Sequence, residues 1–248
     1  MEINNFKKGL KDGLPICIGY FSVSFAFGIF AVENGLSVWQ AVIISLANLT
    51  SAGQLAAVPI ITGGGSLIEL AVSQLVINSR YSLMSVSLAQ KLSRRVKFIE
   101  KLIIAFGNTD EIFAVSVSNK GDVGKRYMFG LMLLPILGWT SGTCLGGIAG
   151  NILPAMVTAA LGVAIYGMFV AIVVPVAKKE KATTLCVLFA IALSCAFKYI
   201  PLLSKVPSGF TVIICAVVAS AVFAVIAPVK TEEEATEKDC DKGAEVNG

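Results

Sequence analysis

Apolar runs close in length to a membrane crossing dominate the pattern along the chain, with polar residues collected between them. A helix needs about 20 apolar residues to cross a hydrocarbon core of about 30 Å. The stretches 14–32, 38–62, 66–90, 102–118, 127–149, 152–177, 182–199 and 208–228 come near that length. The pattern therefore predicts an all-α integral membrane protein. Two of the runs are interrupted. In 38–62 the sequence "NLTSAGQ" sets Asn48, Thr50, Ser51, Gly53 and Gln54 in the middle of apolar residues, and in 102–118 "GNTDE" does the same with Asp110 and Glu111.

Charge decides how these runs cross. The N-terminal "FKKGLKDG", the loop "KLSRRVKFIEK" from Lys91 to Lys101, and the segments "NKGDVGKR" and "KKEK" are all basic, which marks cytoplasmic loops. Three full crossings between the N-terminus and Lys91 would put the Lys91 loop outside. One of the three must enter and return, and the interrupted run 38–62 is the natural candidate. The same reasoning makes 102–118 re-entrant, because both its flanks are basic. About six full transmembrane helices plus two broken or re-entrant segments result, with both termini inside. Non-helical backbone at membrane depth is tolerated only inside protein or against a watery cavity. Broken segments entering from opposite sides build midplane sites in inverted-repeat transporters. The inverted repeat is a topology inference, since the two halves share only echoes such as "FAFG" and "IAFG".

Composition agrees. Of 248 residues 56% are hydrophobic and 15% charged, and the mean hydropathy is +0.80. The net charge of +4 understates the basic bias: without the acidic tail 229–248 the chain holds 17 positive and 9 negative residues. Positive charge between apolar runs points to loops against anionic lipid rather than to nucleic acid. Residues 1–228 read as one polytopic domain and 229–248 as a disordered acidic cytoplasmic tail. The absence of histidine excludes Ser-His and Cys-His catalysis and histidine-ligated metal. The six cysteines lack CxxC spacing and read as reduced core residues. No catalytic, metal or cofactor site is expected. "NLT" matches a glycosylation acceptor by chance, and "TGGGS" reads as a tight turn.

The third run carries the most polar chemistry. On a helix Glu69, Ser73, Arg80 and Ser87 share one face, while Gln74, Asn78 and Ser85 form a second stripe. Such a helix must be enclosed by protein. Arg80 precedes Lys91 by eleven residues, about 16 Å of helix, which puts it near the midplane. A charge there needs a partner. Glu69 is too far along the same helix, whereas Asp110 and Glu111 sit at the other break. Arg80 reads either as a pathway residue or as a structural tie between helices; Asp110 and Glu111 read as a site or as an acidic turn at an interface.

In order along the chain, "GLKDGLPICIGYFSVSFAFG", "SAGQ", "INSRYSLMS" and "TDE" resemble the AzlC family of branched-chain amino acid exporters, from about Gly9 to Pro228. Tyr81 departs from the histidine expected after the arginine in many relatives. The resemblance implies the large subunit of a bacterial inner-membrane exporter of leucine, isoleucine, valine or analogues, working with a small AzlD-type membrane subunit. A zwitterion needs donors for its carboxylate and acceptors for its ammonium. Half-helix N-termini and Arg80 can supply the donors; Asp110, Glu111 or freed carbonyls can supply the acceptors. Asn48, Ser51, Gly53, Gln54, Asn78 and Arg80 are therefore the candidate substrate-binding residues, and Asp110, Glu111 and Glu69 the candidate ion-coupling residues. Without an ATP-binding motif, transport must draw on an ion or substrate gradient. A passive channel for a small neutral solute is the alternative, and a scaffold or intramembrane enzyme a more distant one.

Overall fold

A computed structural model of the chain describes residues 3–154 and 180–227 apart from 202, with scattered positions between 156 and 178. The run 152–177 and the tail 229–248 fall largely or wholly outside the described residues. All the regular elements described are helical. They are α1 (Phe6–Glu33), α2 (Val38–Ala47), α3 (Ser51–Thr62), α4 (Leu67–Lys91), α5 (Phe98–Phe106), α6 (Asp110–Ser118), α7 (Lys125–Gly150), α8 (Lys181–Tyr199) and α9 (Ser208–Ile226), with a 3-10 turn at Leu203–Lys205. Phe6–Glu33, Lys125–Gly150, Lys181–Tyr199 and Gly209–Ile226 are long and apolar enough to cross a membrane. The α4 helix, though 25 residues long, carries Glu69, Gln74, Asn78 and Arg80 and is too polar to stand among them. The first helix is longer than its apolar core, because Asn5 caps it ahead of the basic "FKKGLKDG" segment.

The chain gathers into two compact units, Met1–Val173 with Val206–Ile213, and Val174–Lys205 with Ile214–Gly248. In the second, Phe189 packs at a tilt against Phe223 with ring centroids 6.1 Å apart. In the first, α1 and α7 run side by side in the same direction and form a spine along a line of glycines. A Cβ at Gly9 would lie 2.8 Å from the backbone N of Leu131, and one at Gly28 would lie 2.6 Å from the backbone N of Gly147. Gly138, Gly142 and Gly146 meet Cys17, Phe21 and Phe25 equally closely from the other side. Lipid tails are as apolar as leucine, so helices in a bilayer associate through such small-residue close packing. The described cysteines are all unpaired.

Both interrupted runs are helix hairpins laid against this spine. Along the first, α2 starts with Val38 beside Gly147, and Ser45 meets the Thr143 hydroxyl at 2.7 Å. Three non-helical residues follow, and Gln54 of α3 then meets Trp139. Beyond it, Val58 packs in one cluster with Leu36 and Ala41, back at the level where the hairpin began. The second hairpin enters from the other end of α7. Glu100 pairs with Lys125 at 2.6 Å, and Gly107 abuts Met132. The chain then returns, with Ser116 Oγ 3.3 Å from Met128 Sδ and Asn119 donating to the Tyr127 hydroxyl at 3.0 Å. The deepest contacts, Met132 and Trp139, are seven residues apart, about 10 Å of helix.

Three of the basic segments come together at one end. Ile3 N donates to Asp122 O at 2.9 Å and Gly124 N to Ile3 O at 2.8 Å, while Val123 N donates to Lys91 O and Ser93 N to Val123 O. The N-terminus, the start of the Lys91–Lys101 loop and the loop before α7 therefore share one edge, as the charge pattern requires.

Candidate functional site

Helices α1, α4 and α7 and both hairpin tips line a cavity of roughly 840 Å³. Its apolar wall includes Ile16 and Val23 of α1, Leu49 at the first break, Ile77 of α4 and Trp139 of α7. Its polar wall is drawn from two helix starts, Ser51–Ala52 and Asp110–Glu111, with Tyr20, Arg80, Tyr81 and Thr109. Helices α1, α2 and α4 are capped by the side chains of Asn5, Ser37 and Ser66. Thr50 and Thr109 occupy the same position before α3 and α6 but make no such cap, which leaves first-turn N–H groups for another acceptor.

The Thr50 hydroxyl is engaged elsewhere. It lies 3.0 Å from the side-chain oxygens of both Asn48 and Asn78. Gln74 completes this bracing: its Oε1 accepts from Asn48 at 2.8 Å and from Asn78 at 3.3 Å, and its Nε2 donates to the Gly53 carbonyl at 2.9 Å. A Cβ on Gly53 would intrude here, 2.7 Å from Gln74 Oε1. The second polar stripe of α4 thus holds the first break, and Ser85, farther along it, accepts from Asn108 of the second break at 3.4 Å.

The charged face of α4 meets the second hairpin. Arg80 Nη2 lies 2.6 Å from Asp110 Oδ2 and donates also to the Tyr81 hydroxyl at 3.2 Å. Arg80 stacks over the Tyr81 ring, 5.0 Å from its centroid. The partner that Arg80 requires is therefore Asp110, one of the two carboxylates expected from the sequence. Glu111 instead accepts from the Tyr20 hydroxyl, which also lies 2.6 Å from Thr109 Oγ1.

Of the residues expected to form a site, Ser51, Arg80, Asp110 and Glu111 line the cavity. Asn48, Gly53 and Asn78 lie behind it in the bracing network. Gln54 is fully buried between Ser45 and Trp139, with its Oε1 3.3 Å from each donor. Glu69 is not brought to the cavity. Its carboxylate is buried at the end of α4 and accepts from the backbone N of Gly209 at 2.8 Å, where the start of α9 offers its N–H groups. Sequence reasoning missed Tyr20 and Trp139. Each is one of several aromatics in a long apolar run, and only packing distinguishes it from a lipid-facing neighbour.

Comparisons with known proteins place the chain among membrane proteins of one family. A family model described as AzlC protein matches residues 15–153. An uncharacterized membrane protein of Archaeoglobus fulgidus is 36% identical over 172 residues, covering 68% of this chain and 75% of the relative. The inner membrane protein YgaZ of Escherichia coli is 31% identical over 194 residues, covering 75% of this chain and 78% of the relative. The branched-chain amino acid transport protein AzlC of Bacillus subtilis is 27% identical over 149 residues, covering 59% of this chain and 58% of the relative. No solved structure matches the chain significantly. The family model spans both hairpins and the α1–α7 spine that carries them, and on that match this membrane protein belongs to the AzlC family.

Proposed function

We propose that the chain is the large subunit of a secondary transporter that exports branched-chain amino acids across the inner membrane, coupled to protons and assisted by a small AzlD-type membrane subunit. The observation that carries this reading is the cavity between the two hairpin tips. Its volume of roughly 840 Å³ falls in the range of small-molecule sites. It offers a mostly aliphatic wall and, separately, donors and acceptors for a zwitterion. The uncapped start of α3 at Ser51–Ala52 and the free edge of the Arg80 guanidinium suit a carboxylate. Asp110 and Glu111 suit an ammonium group, and one of them suits a proton. Ile16, Val23, Leu49 and Ile77 suit a branched side chain.

The hairpins are the two re-entrant segments in this reading, entering from opposite faces of the bilayer as an inverted pair. The gathering of three basic segments at one edge supports a cytoplasmic position for that edge. The names of the Bacillus subtilis and Escherichia coli relatives support the substrate class and the inner membrane.

The test is flux of radiolabelled leucine in proteoliposomes holding the chain, with and without the small partner. Saturable leucine counterflow that a proton gradient accelerates is the expected result. Flux that rises linearly with leucine and ignores the gradient would overturn the reading in favour of a passive channel.

A further inference from the structure

The two carboxylates that open α6 have different partners, and those partners divide their work. Asp110 is held by a cation, with Arg80 Nη2 at 2.6 Å and the Tyr81 hydroxyl at 3.4 Å. Protonating it would leave the guanidinium without the charge of its counter-ion. Glu111 faces the same cavity and bonds to the Tyr20 hydroxyl, with no cation in that bond.

Tyr20 in turn reaches the other hairpin. Its ring packs edge-on against Trp139, with centroids 5.0 Å apart. The Trp139 indole N–H donates to Gln54 Oε1 at 3.3 Å, and Ser45 joins Gln54 to Thr143. A continuous line of contacts thus runs from Glu111 on the second hairpin to Gln54 on the first. The titratable or charged groups facing Glu111 across the cavity are Tyr20 from α1, Arg80 and Tyr81 from α4, and Asp110 from α6; α7 contributes Trp139 and no titratable group to this wall among the described residues.

We propose that Glu111 is the proton-carrying carboxylate, that Asp110 stays ionised with Arg80, and that the Tyr20–Trp139 pair reports the state of Glu111 to the first hairpin. This rests on the transport reading above and assigns the coupling within it. An ionised Glu111 takes the Tyr20 O–H as a charge-assisted bond. Once protonated, its carboxyl is itself a donor, the charge assistance is lost, and Tyr20 is released towards Thr109. The indole that packs on Tyr20, and through it Gln54, follows. Tyr20 and Trp139 are positioning residues here; Glu111 is the group that binds the proton.

The chain has two tryptophans, Trp39 and Trp139, so Trp39→Phe leaves Trp139 as the sole reporter. Purified protein of that background is titrated from neutral to acid pH while indole emission is recorded, with no substrate present. A transition is expected in the parent and in Asp110→Asn, and none in Glu111→Gln. Tyr20→Phe, which keeps Glu111 and removes a single hydroxyl, should erase the emission change and lower gradient-driven relative to exchange flux by about tenfold, within the usual range of a coupling energy. No transition in the parent, a transition kept in Glu111→Gln, or one lost in Asp110→Asn would each overturn the assignment. Should Glu111→Gln fail to fold, Tyr20→Phe decides alone, and an unchanged transition there overturns the relay. Because the emission needs no substrate, leucine flux that fails while the titration persists would sink the transport reading and leave the Glu111 assignment standing.

Discussion

The two hairpins are built alike and furnished differently. Each is two short helices broken by three residues, and each break carries an asparagine and ends on an uncapped threonine, Asn48 and Thr50 in one, Asn108 and Thr109 in the other. The first break is neutral. Carboxamides from α4 hold it, and Gln54 beside it is fully buried. The second carries Asp110 and Glu111, which meet Arg80 and Tyr81 of α4 and Tyr20 of α1, all facing the cavity. A neutral amide network specifies geometry without responding to protons, whereas a carboxylate changes charge when it titrates. In the proposed reading, one hairpin holds its shape and the other changes state, on a common spine.

Breaking the spine removes both hairpins and should have the largest effect. Gly28→Leu would drive a side chain into the backbone of Thr143 and Gly147, which cannot move aside as a flexible side chain would. A destabilisation of at least about 3 kcal/mol is expected, the upper end for overpacking, and it should appear as loss of the monodisperse peak in size-exclusion chromatography. A symmetric peak with an unchanged melting temperature would show that α1 and α7 do not pack this way.

The charged hairpin should be the more sensitive of the two in transport. Arg80→Ala removes the counter-ion of Asp110, and export of leucine should fall at least about a hundredfold while the protein still inserts. Arg80→Lys should also be poor, because a point ammonium lacks the planar fork of which Nη2 alone serves both Asp110 and the Tyr81 hydroxyl. Flux near the parent level with alanine would return Arg80 to a purely structural tie.

The neutral hairpin should respond in stability rather than in coupling. Gln74→Leu strands the Asn48 amide and the Gly53 carbonyl, and a loss of about 1–3 kcal/mol in thermal stability is expected. The transport that survives should keep its full response to a proton gradient. A changed gradient response would blur the division between the hairpins.

The smallest effect is expected at the basic edge. A cysteine at Arg95 in a cysteine-free background should leave flux unchanged. It should react with a membrane-impermeant thiol reagent in inside-out vesicles and not in intact cells. Ready labelling in intact cells would place the edge outside and invert the topology.

Much of this architecture is legible in the amino-acid sequence. The period and length of the apolar runs specify membrane helices because a bilayer offers no other partner to backbone amides. The interruptions at Asn48–Gln54 and Gly107–Glu111 mark the breaks, and the basic loops require those segments to turn back. Arithmetic along α4 excludes Glu69 as the partner of Arg80 and leaves Asp110 or Glu111. The choice between those two is not legible. Adjacent residues on a helix point about 100° apart, so which of them meets Arg80 depends on how α6 is rotated against α4.

Local hydropathy and the cost of burying charge are thus enough to specify the membrane class, the two breaks and the charged residues that need partners. Which polar residues face the cavity follows only from the packing of distant segments. That packing sends Asn48, Gly53 and Asn78 to a bracing network, Gln54 to the spine and Glu69 to the start of α9. It also makes Tyr20 and Trp139, unremarkable in their apolar runs, the contact between the hairpins. Hydropathy is a local property, whereas Asn48 finds its acceptor 26 residues away and Glu69 finds its donor 140 residues away. Only the packing of α1 on α7, set by glycines that let two backbones touch, brings those distant segments into register.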